Sequence, residues 1–160
     1  MLKIKLLVVG ATRSPFLQQG ERFYLDRIKK YARMEWVEVK PAKEKKGRAK
    51  QEIPIEEGTA LSRRFVDREY RIALDRQGEM HSSEELADRI ERLSHSHSRI
   101  TWIVGGAYGL SEDIVRRVDE VFSLSPMTFT HEMTRIVLLE QLYRAFTILH
   151  NEPYHLGHCV

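Results

Sequence analysis

The sequence lacks most of the features that make a chemistry easy to read. Its 160 residues hold a single cysteine, Cys159. A lone thiol excludes an internal disulfide and a zinc framework. Its place in the terminal tail reads as an exposed side chain rather than a nucleophile, and such cysteine usage suits a reducing cytosol. His95 and His97 alternate in a polar run from Ser94 to Ser98. No cluster of carboxylates or thiols accompanies them, so no metal is expected. There is no P-loop and no G-x-G-x-x-G fingerprint, which argues against a nucleotide-binding α/β domain of either kind. Internal repeats and a low-complexity tail are also missing. The opening MLKIKLLVVG is too short and too charged for a signal core or a membrane span, and it reads as a first strand. Strong charge bias is absent too. The net charge is only +3 and the pI about 9.0, which permits an RNA or ribosome partner without demanding one.

What is present is a patterned, foldable chain. Hydrophobic residues make up 42%, enough for one domain over residues 1–160 with a buried core. Lys3 to Val9 alternates and then runs apolar to Gly10, the pattern of a buried strand closed by a turn. Ser14-Pro15 starts a helix, with proline at its first position. A short strand is expected over Glu35–Val39, stopped by Pro41. A basic loop then runs from Lys40 to Lys50, with Lys43, Lys45, Lys46 and Arg48 inside it against a single acid, Glu44. A helix is expected from Gln51 to Asp67, with Pro54 tolerated only in its first turn. Tyr70–Asp75 reads as a third strand and Gln77-Gly78 as a turn. Ser82-Ser83-Glu84-Glu85 opens a helix to about Leu93. Ile100–Val104 is the most apolar strand, a helix follows from Ser111, and Glu120–Leu124 is a fifth strand. Thr130 caps a last helix, His131 to about His150. Strand and helix alternate throughout, which predicts an α/β fold with a mostly parallel sheet flanked by helices.

Four places invite chemistry. The first is the loop Gly105-Gly106 to Gly109, after a strand and before a helix, where ligands of open α/β sheets bind. Its glycines let a ligand approach the backbone, and the helix start offers free N–H groups. A plain strand-to-helix turn has the same spacing. The second is Ser123 to His131, also between strand and helix, whose peptide groups suit the edge of a base such as adenine. It too reads as an ordinary capping loop. Two such loops at the ends of neighbouring strands suggest one shared pocket. The third is the polar set His131, Arg135, Tyr154 and His155. His131 and Arg135 share a helix face, and the planar fork of Arg135 suits a phosphate. A solvated helix start and a polar tail are the plainer reading. The fourth is the basic loop, whose cations attract phosphates, unless it is simply a solvated charge run.

Taken together these residues resemble a known family. The run SLSPMTFTHEMTRIVLLEQLYRAFTILHNEPYH, Ser123 to His155, is similar to the C-terminal signature of the RlmH methyltransferases. IVGGAYGLSEDI at 103–114 resembles their glycine loop, and KIKLLVVG and the basic loop also fit. The resemblance implies a SPOUT fold, in which the C-terminal segment threads a loop to form a trefoil knot. It implies S-adenosylmethionine as methyl donor, with no metal. It also implies a homodimer in which each site is completed by the other chain, of the closed two-fold type. The methyl acceptor implied is N3 of a pseudouridine in 23S rRNA of the assembled ribosome, in the cytoplasm. Carried over by position, the cofactor pocket involves Leu74, Gly105, Leu124, Ser125, Pro126, Met127, Thr128 and Phe129, shaped by Gly106 and Gly109. The catalytic and substrate side draws on His131, Arg135, Tyr154 and His155. His155 or His131 is the expected general base, and Arg135 the expected phosphate ligand. One position departs from the family. Leu156 stands where a terminal arginine or lysine is usual, and Gly157-His158-Cys159-Val160 extend the tail. That substitution removes one expected RNA contact, which His158 or the basic loop would have to replace. Two other functions fit the same fold: methylation of a different RNA such as tRNA, and a non-catalytic ribosome-binding factor.

Overall fold

The computed structural model describes residues 1–156; His158 and Cys159 lie outside the described residues. Strands β1 (Lys3–Val9), β2 (Arg33–Val39), β3 (Tyr70–Met80), β4 (Arg99–Val104) and β5 (Glu120–Ser123) alternate with helices α1 (Pro15–Ile28), α2 (Glu52–Ser62), α3 (Ser83–Ser96), α4 (Glu112–Arg116) and α5 (His131–Leu149). The strands form one sheet in the order β2-β1-β4-β3-β5, and every pairing is parallel.

The side-chain alternation within each strand divides the core into two layers. Ile4, Leu6 and Val8 of β1 and Ile100, Trp102 and Val104 of β4 pack with α1, α3 and α5. Leu7, Val9 and Ile103 turn to the other face and meet Leu61 of α2 and Ile114 of α4. Burial on both faces explains why these strands are nearly continuous in apolar residues. Lys5 and Thr101 break that pattern, and both are buried. They are satisfied by one carboxylate. Glu69 accepts from Thr101 Oγ1 at 2.7 Å and pairs with Lys5 Nζ at 2.8 Å and Arg71 Nε at 3.0 Å. Burial pushes the Glu69 carboxyl up, but these donors and the Val66 N–H together hold it below its usual range.

Local signals set most element starts. Ser82 and Glu85 form the reciprocal capping box expected of that sequence, and the Thr130 hydroxyl accepts from the Met133 N–H at 3.2 Å to open α5. Several boundaries differ from the sequence expectation. Helix α2 stops at Ser62, five residues before Asp67, because a turn from Leu61 to Phe65 leads the chain to the buried Glu69. Helix α3 extends to Ser96 through the stretch expected to be loop. The largest difference is in β3. Gln77-Gly78 is not the end of the strand. Leu74 and Glu79 both pair with Phe122, so residues 75–78 loop out and the strand then resumes. Gly78 permits the return, since a Cβ there would lie 2.7 Å from the Val121 backbone.

Candidate functional site

In a parallel sheet the strand C-termini share one edge, and here three segments meet there. They are the β3 bulge, the glycine loop after β4, and the loop between β5 and α5. They enclose a cleft of about 760 Å³, within the usual size of a small-molecule site. Strands β4 and β5 are not neighbours as expected; β3 lies between them, so its bulge becomes the third wall. Leu74, Gly105, Gly106, Gly109, Leu124, Ser125, Met127, Thr128 and Phe129 all line the cleft, as does His131, whereas Pro126 does not. Asp75, Arg76, Gln77, Tyr108 and Glu132 line it too, beyond the sequence expectation.

The glycine loop is a tight turn. The Gly109 N–H donates to the Gly106 carbonyl at 3.0 Å, and Gly109 has φ +78°, a region side chains disfavour. Gly105 lies against the returning strand of the turn. A Cβ there would meet the Gly109 carbonyl carbon at 2.7 Å. The β5 loop is pinned by Ser123, whose hydroxyl bonds the carbonyls of Arg76 at 3.1 Å and Ser125 at 3.0 Å. The N-terminus of α5 is fixed by Glu132, which accepts from the Arg13 N–H at 2.5 Å and the Ser14 N–H at 3.3 Å. The cleft therefore combines peptide groups held in place with apolar walls from Leu17, Leu74, Leu110, Leu124 and Phe129. Such a surface suits a flat heteroaromatic ring whose edge bonds to backbone.

Beneath the glycine loop sits Glu57, a feature the sequence did not disclose. It is only 4% exposed. Its Oε2 accepts from the Ala42 N–H at 3.1 Å, and Oε1 has no partner among the described residues. Burial raises its carboxyl above the usual range, the Ala42 bond opposes this, and nearby Glu56 adds to it. A Cβ on Gly106 would come within 2.9 Å of Glu57 Oε1, so the loop and α2 are in close contact.

The polar set does not assemble in one place. His131 lines the cleft at the first position of α5. Burial holds its imidazole below the usual value, as does the Arg135 charge, against a smaller opposing effect of Glu132. Arg135 is fully buried at 0% exposure. Its guanidinium donates to the Val9 carbonyl at 2.6 Å and to Thr12 Oγ1 at 2.9 Å, and Thr12 in turn donates to Glu21. It also lies 5.9 Å from the centre of the Trp36 ring, within cation–π reach. Arg135 does not line the cleft: its two terminal nitrogens tie α5 to the end of β1, while its Nε is buried with no partner among the described residues. Tyr154 and His155 are not among the residues lining this cleft. Tyr154 donates to Glu140 Oε1 at 3.1 Å, and burial with that carboxylate raises its phenol. His155 Nδ1 lies 3.2 Å from an Arg144 guanidinium nitrogen, and its Nε2 lies 2.8 Å from Glu84 Oε1. Arginine only donates, so Nδ1 accepts and Nε2–H donates to Glu84. Leu156 is exposed.

Residues 2–155 match the family model described as predicted SPOUT methyltransferase. A protein of Syntrophotalea carbinolica named ribosomal RNA large subunit methyltransferase H is 43% identical over 96% of this chain and 99% of its own length. A protein of the same name from Pelotomaculum thermopropionicum is 42% identical over 97% of this chain and 99% of its own. Among solved structures, a probable methylase family protein of Haemophilus influenzae superposes with a TM-score of 0.55 at 12% identity, over 98% of this chain and 72% of its own. That likeness speaks to the fold alone.

Proposed function

Because this chain belongs to the SPOUT methyltransferase family, we propose that it transfers a methyl group from S-adenosylmethionine to N3 of a pseudouridine in 23S rRNA of the assembled ribosome, in the cytoplasm. One observation carries the reading: the three strand-end segments converge on a single cleft of suitable size. The residues present fit the donor. Apolar side chains, Leu74 among them, and the pinned peptide groups of 105–110 and 124–129 would hold its adenosyl part. Bound there, the donor supplies an electrophilic methyl group on a sulfonium, and the protein supplies orientation. The acceptor nitrogen must lose its proton. His131 is the better placed base, since it lines the cleft and its lowered pKa keeps the imidazole neutral and able to accept. Arg135 acts as a positioning residue that holds the start of α5, and His131 with it, against β1.

The finer features of the family belong to the same proposal. The segment from β5 into α5 forms the trefoil knot. The active unit is a homodimer, in which Tyr154 and His155 of the partner subunit complete each cleft. Support for a second chain comes from α5, whose Met133, Ile136, Val137 and Tyr143 remain only half-buried in the protomer. The test is methyl transfer from labelled donor to ribosomes lacking the modification, compared with free large subunits and tRNA, with the product mapped by mass spectrometry. Methylated pseudouridine on assembled ribosomes is expected. Label in tRNA would replace the substrate, and no transfer to any RNA would favour a binding factor. His131→Ala and His155→Ala, assayed separately, test the base; full rate in both would dismiss it.

A further inference from the structure

The segment from Lys40 to Lys50 contains the highest local density of positive charge in the sequence. A charge run of this kind is usually a solvated loop with no fixed shape. Here it is built. Gly47 adopts φ +84° with open space around it, and the Arg48 N–H donates to the Lys45 carbonyl at 3.0 Å, closing a turn. Arg48 staples that turn. It donates to the Lys43 carbonyl at 3.0 Å and lies 3.5 Å from both Glu52 and Glu56 at the start of α2.

Two further tethers join the loop to the cleft. The Ala42 N–H donates to the buried Glu57, whose carboxyl contacts the glycine loop at Gly106. Glu44 accepts from the hydroxyl of Tyr108, a cleft-lining residue of the same loop. These contacts use the loop's one acid and its one arginine internally. What remains is Lys40, Lys43, Lys45, Lys46 and Lys50, all exposed and none in an ion pair among the described residues. Fixing like charges together on an ordered loop opposes their mutual repulsion, and among the described residues no carboxylate pairs with any of these five lysines.

We propose that this loop is a rail for the phosphate backbone of the RNA substrate, held in register with the methyl-donor cleft through Glu57 and Tyr108. The inference rests on the reading of the protein as an RNA methyltransferase and deepens it by locating the backbone contact. Lysine suits this task, because a compact ammonium on a flexible stem neutralises a phosphate without demanding one geometry. The rail contributes affinity and placement, while the cleft and the acceptor base set where the methyl group goes.

The test is a triple variant, Lys43→Ala with Lys45→Ala and Lys46→Ala, in the full chain. A control of equal charge change is Lys3→Ala with Arg33→Ala and Arg92→Ala, toward the opposite end of the strands. Binding to assembled ribosomes is measured as a function of salt, and S-adenosylmethionine binding is measured by calorimetry. The rail variant is expected to bind ribosomes roughly tenfold or more weakly, with the salt slope reduced by about 2–3 units for three lost phosphate contacts. Its donor affinity should remain at the parent value. A salt slope and ribosome affinity equal to those of the control would overturn the rail while leaving the methyltransferase reading intact. If the parent itself binds no ribosome and no tRNA, both fall together. Parent binding to tRNA alone would replace the substrate, and the same slopes measured on tRNA would then decide the rail.

Discussion

Replacing Gly105 with alanine puts the shape of the proposed donor cleft to a direct test. An added Cβ would sit 2.7 Å from the Gly109 carbonyl carbon, 2.8 Å from its oxygen and 3.1 Å from the Leu110 nitrogen. Comfortable carbon contacts lie near 3.5–4.0 Å, so the shortfall is close to 1 Å. All three neighbours are backbone, and no side chain can swing aside. The turn between Gly106 and Gly109 must open, at the usual cost of overpacking, about 1–3 kcal/mol. If that cost falls on the donor-binding shape of the loop, donor affinity drops by roughly 5- to 150-fold. Gly109→Ala provides the contrast. Its site is sterically open, but φ is +78°, so the cost is conformational, about 1–2 kcal/mol. That strain lowers the melting temperature by a few degrees, at roughly 2–4 °C per kcal/mol for a domain of this size, and it leaves no atom intruding on the turn. Calorimetric titration with S-adenosylmethionine, alongside thermal melts, separates the two variants. Gly105→Ala binding the donor within twofold of the parent, with a normal melt, would show that the glycine turn does not shape the site.

Other expectations follow from buried groups. Arg135→Ala removes the donors that satisfy Val9 and Thr12 in a fully buried site and should cost about 1–3 kcal/mol in denaturant unfolding; a variant as stable as the parent would contradict the burial argument. Glu69 has a lowered folded pKa, so its contribution is present above the ordinary carboxylate range and is lost as pH falls through the folded value. Glu69→Gln should therefore destabilise at neutral pH, and the gap to the parent should narrow in acid; a gap independent of pH would count against the Lys5–Glu69–Arg71 arrangement. Glu57 has the opposite sign. Its folded pKa is raised, so its contribution is present below the ordinary carboxylate value and is lost as pH rises through the folded one. Glu57→Gln should gain stability relative to the parent as pH rises, and pH-independent melting differences would show that the carboxyl is not buried as described.

The sequence made the layered α/β fold legible because strand and helix periodicities are strong where they matter. Strand β1 has the expected bounds, since alternation followed by an apolar run ending in glycine leaves little latitude. Helix α3 begins where its capping box places it. The two cleft loops were legible from glycine and from Ser-Pro in strand-to-helix positions. What stayed hidden depends on contacts distant in sequence. The charged, glycine-containing stretch after Leu74 looks like a turn, and only pairing with Phe122 reveals that β3 resumes. Arg135 shares a helix face with His131 and so resembles a surface cation; its burial arises from Val9 and Thr12, more than a hundred residues away in the chain. Glu57 looks like one more exposed acid of α2, and its role as a wedge under Gly106 appears only once β4 and α2 are packed. The polar tail is the opposite case. Tyr154 and His155 have the residue types of an active site, yet within the chain they bond to Glu140 and Glu84, away from the cleft.

In the proposed function S-adenosylmethionine occupies the cleft formed by the β3 bulge, the glycine loop and the β5 loop. Amide hydrogen exchange of the full chain, with and without saturating S-adenosylmethionine, measures this directly. Added protection is expected over residues 74–78, 105–110 and 124–131, with the far ends of the strands around Lys3, Arg33 and Arg99 unchanged. Protection confined to any other part of the chain, or none at saturation, would contradict it.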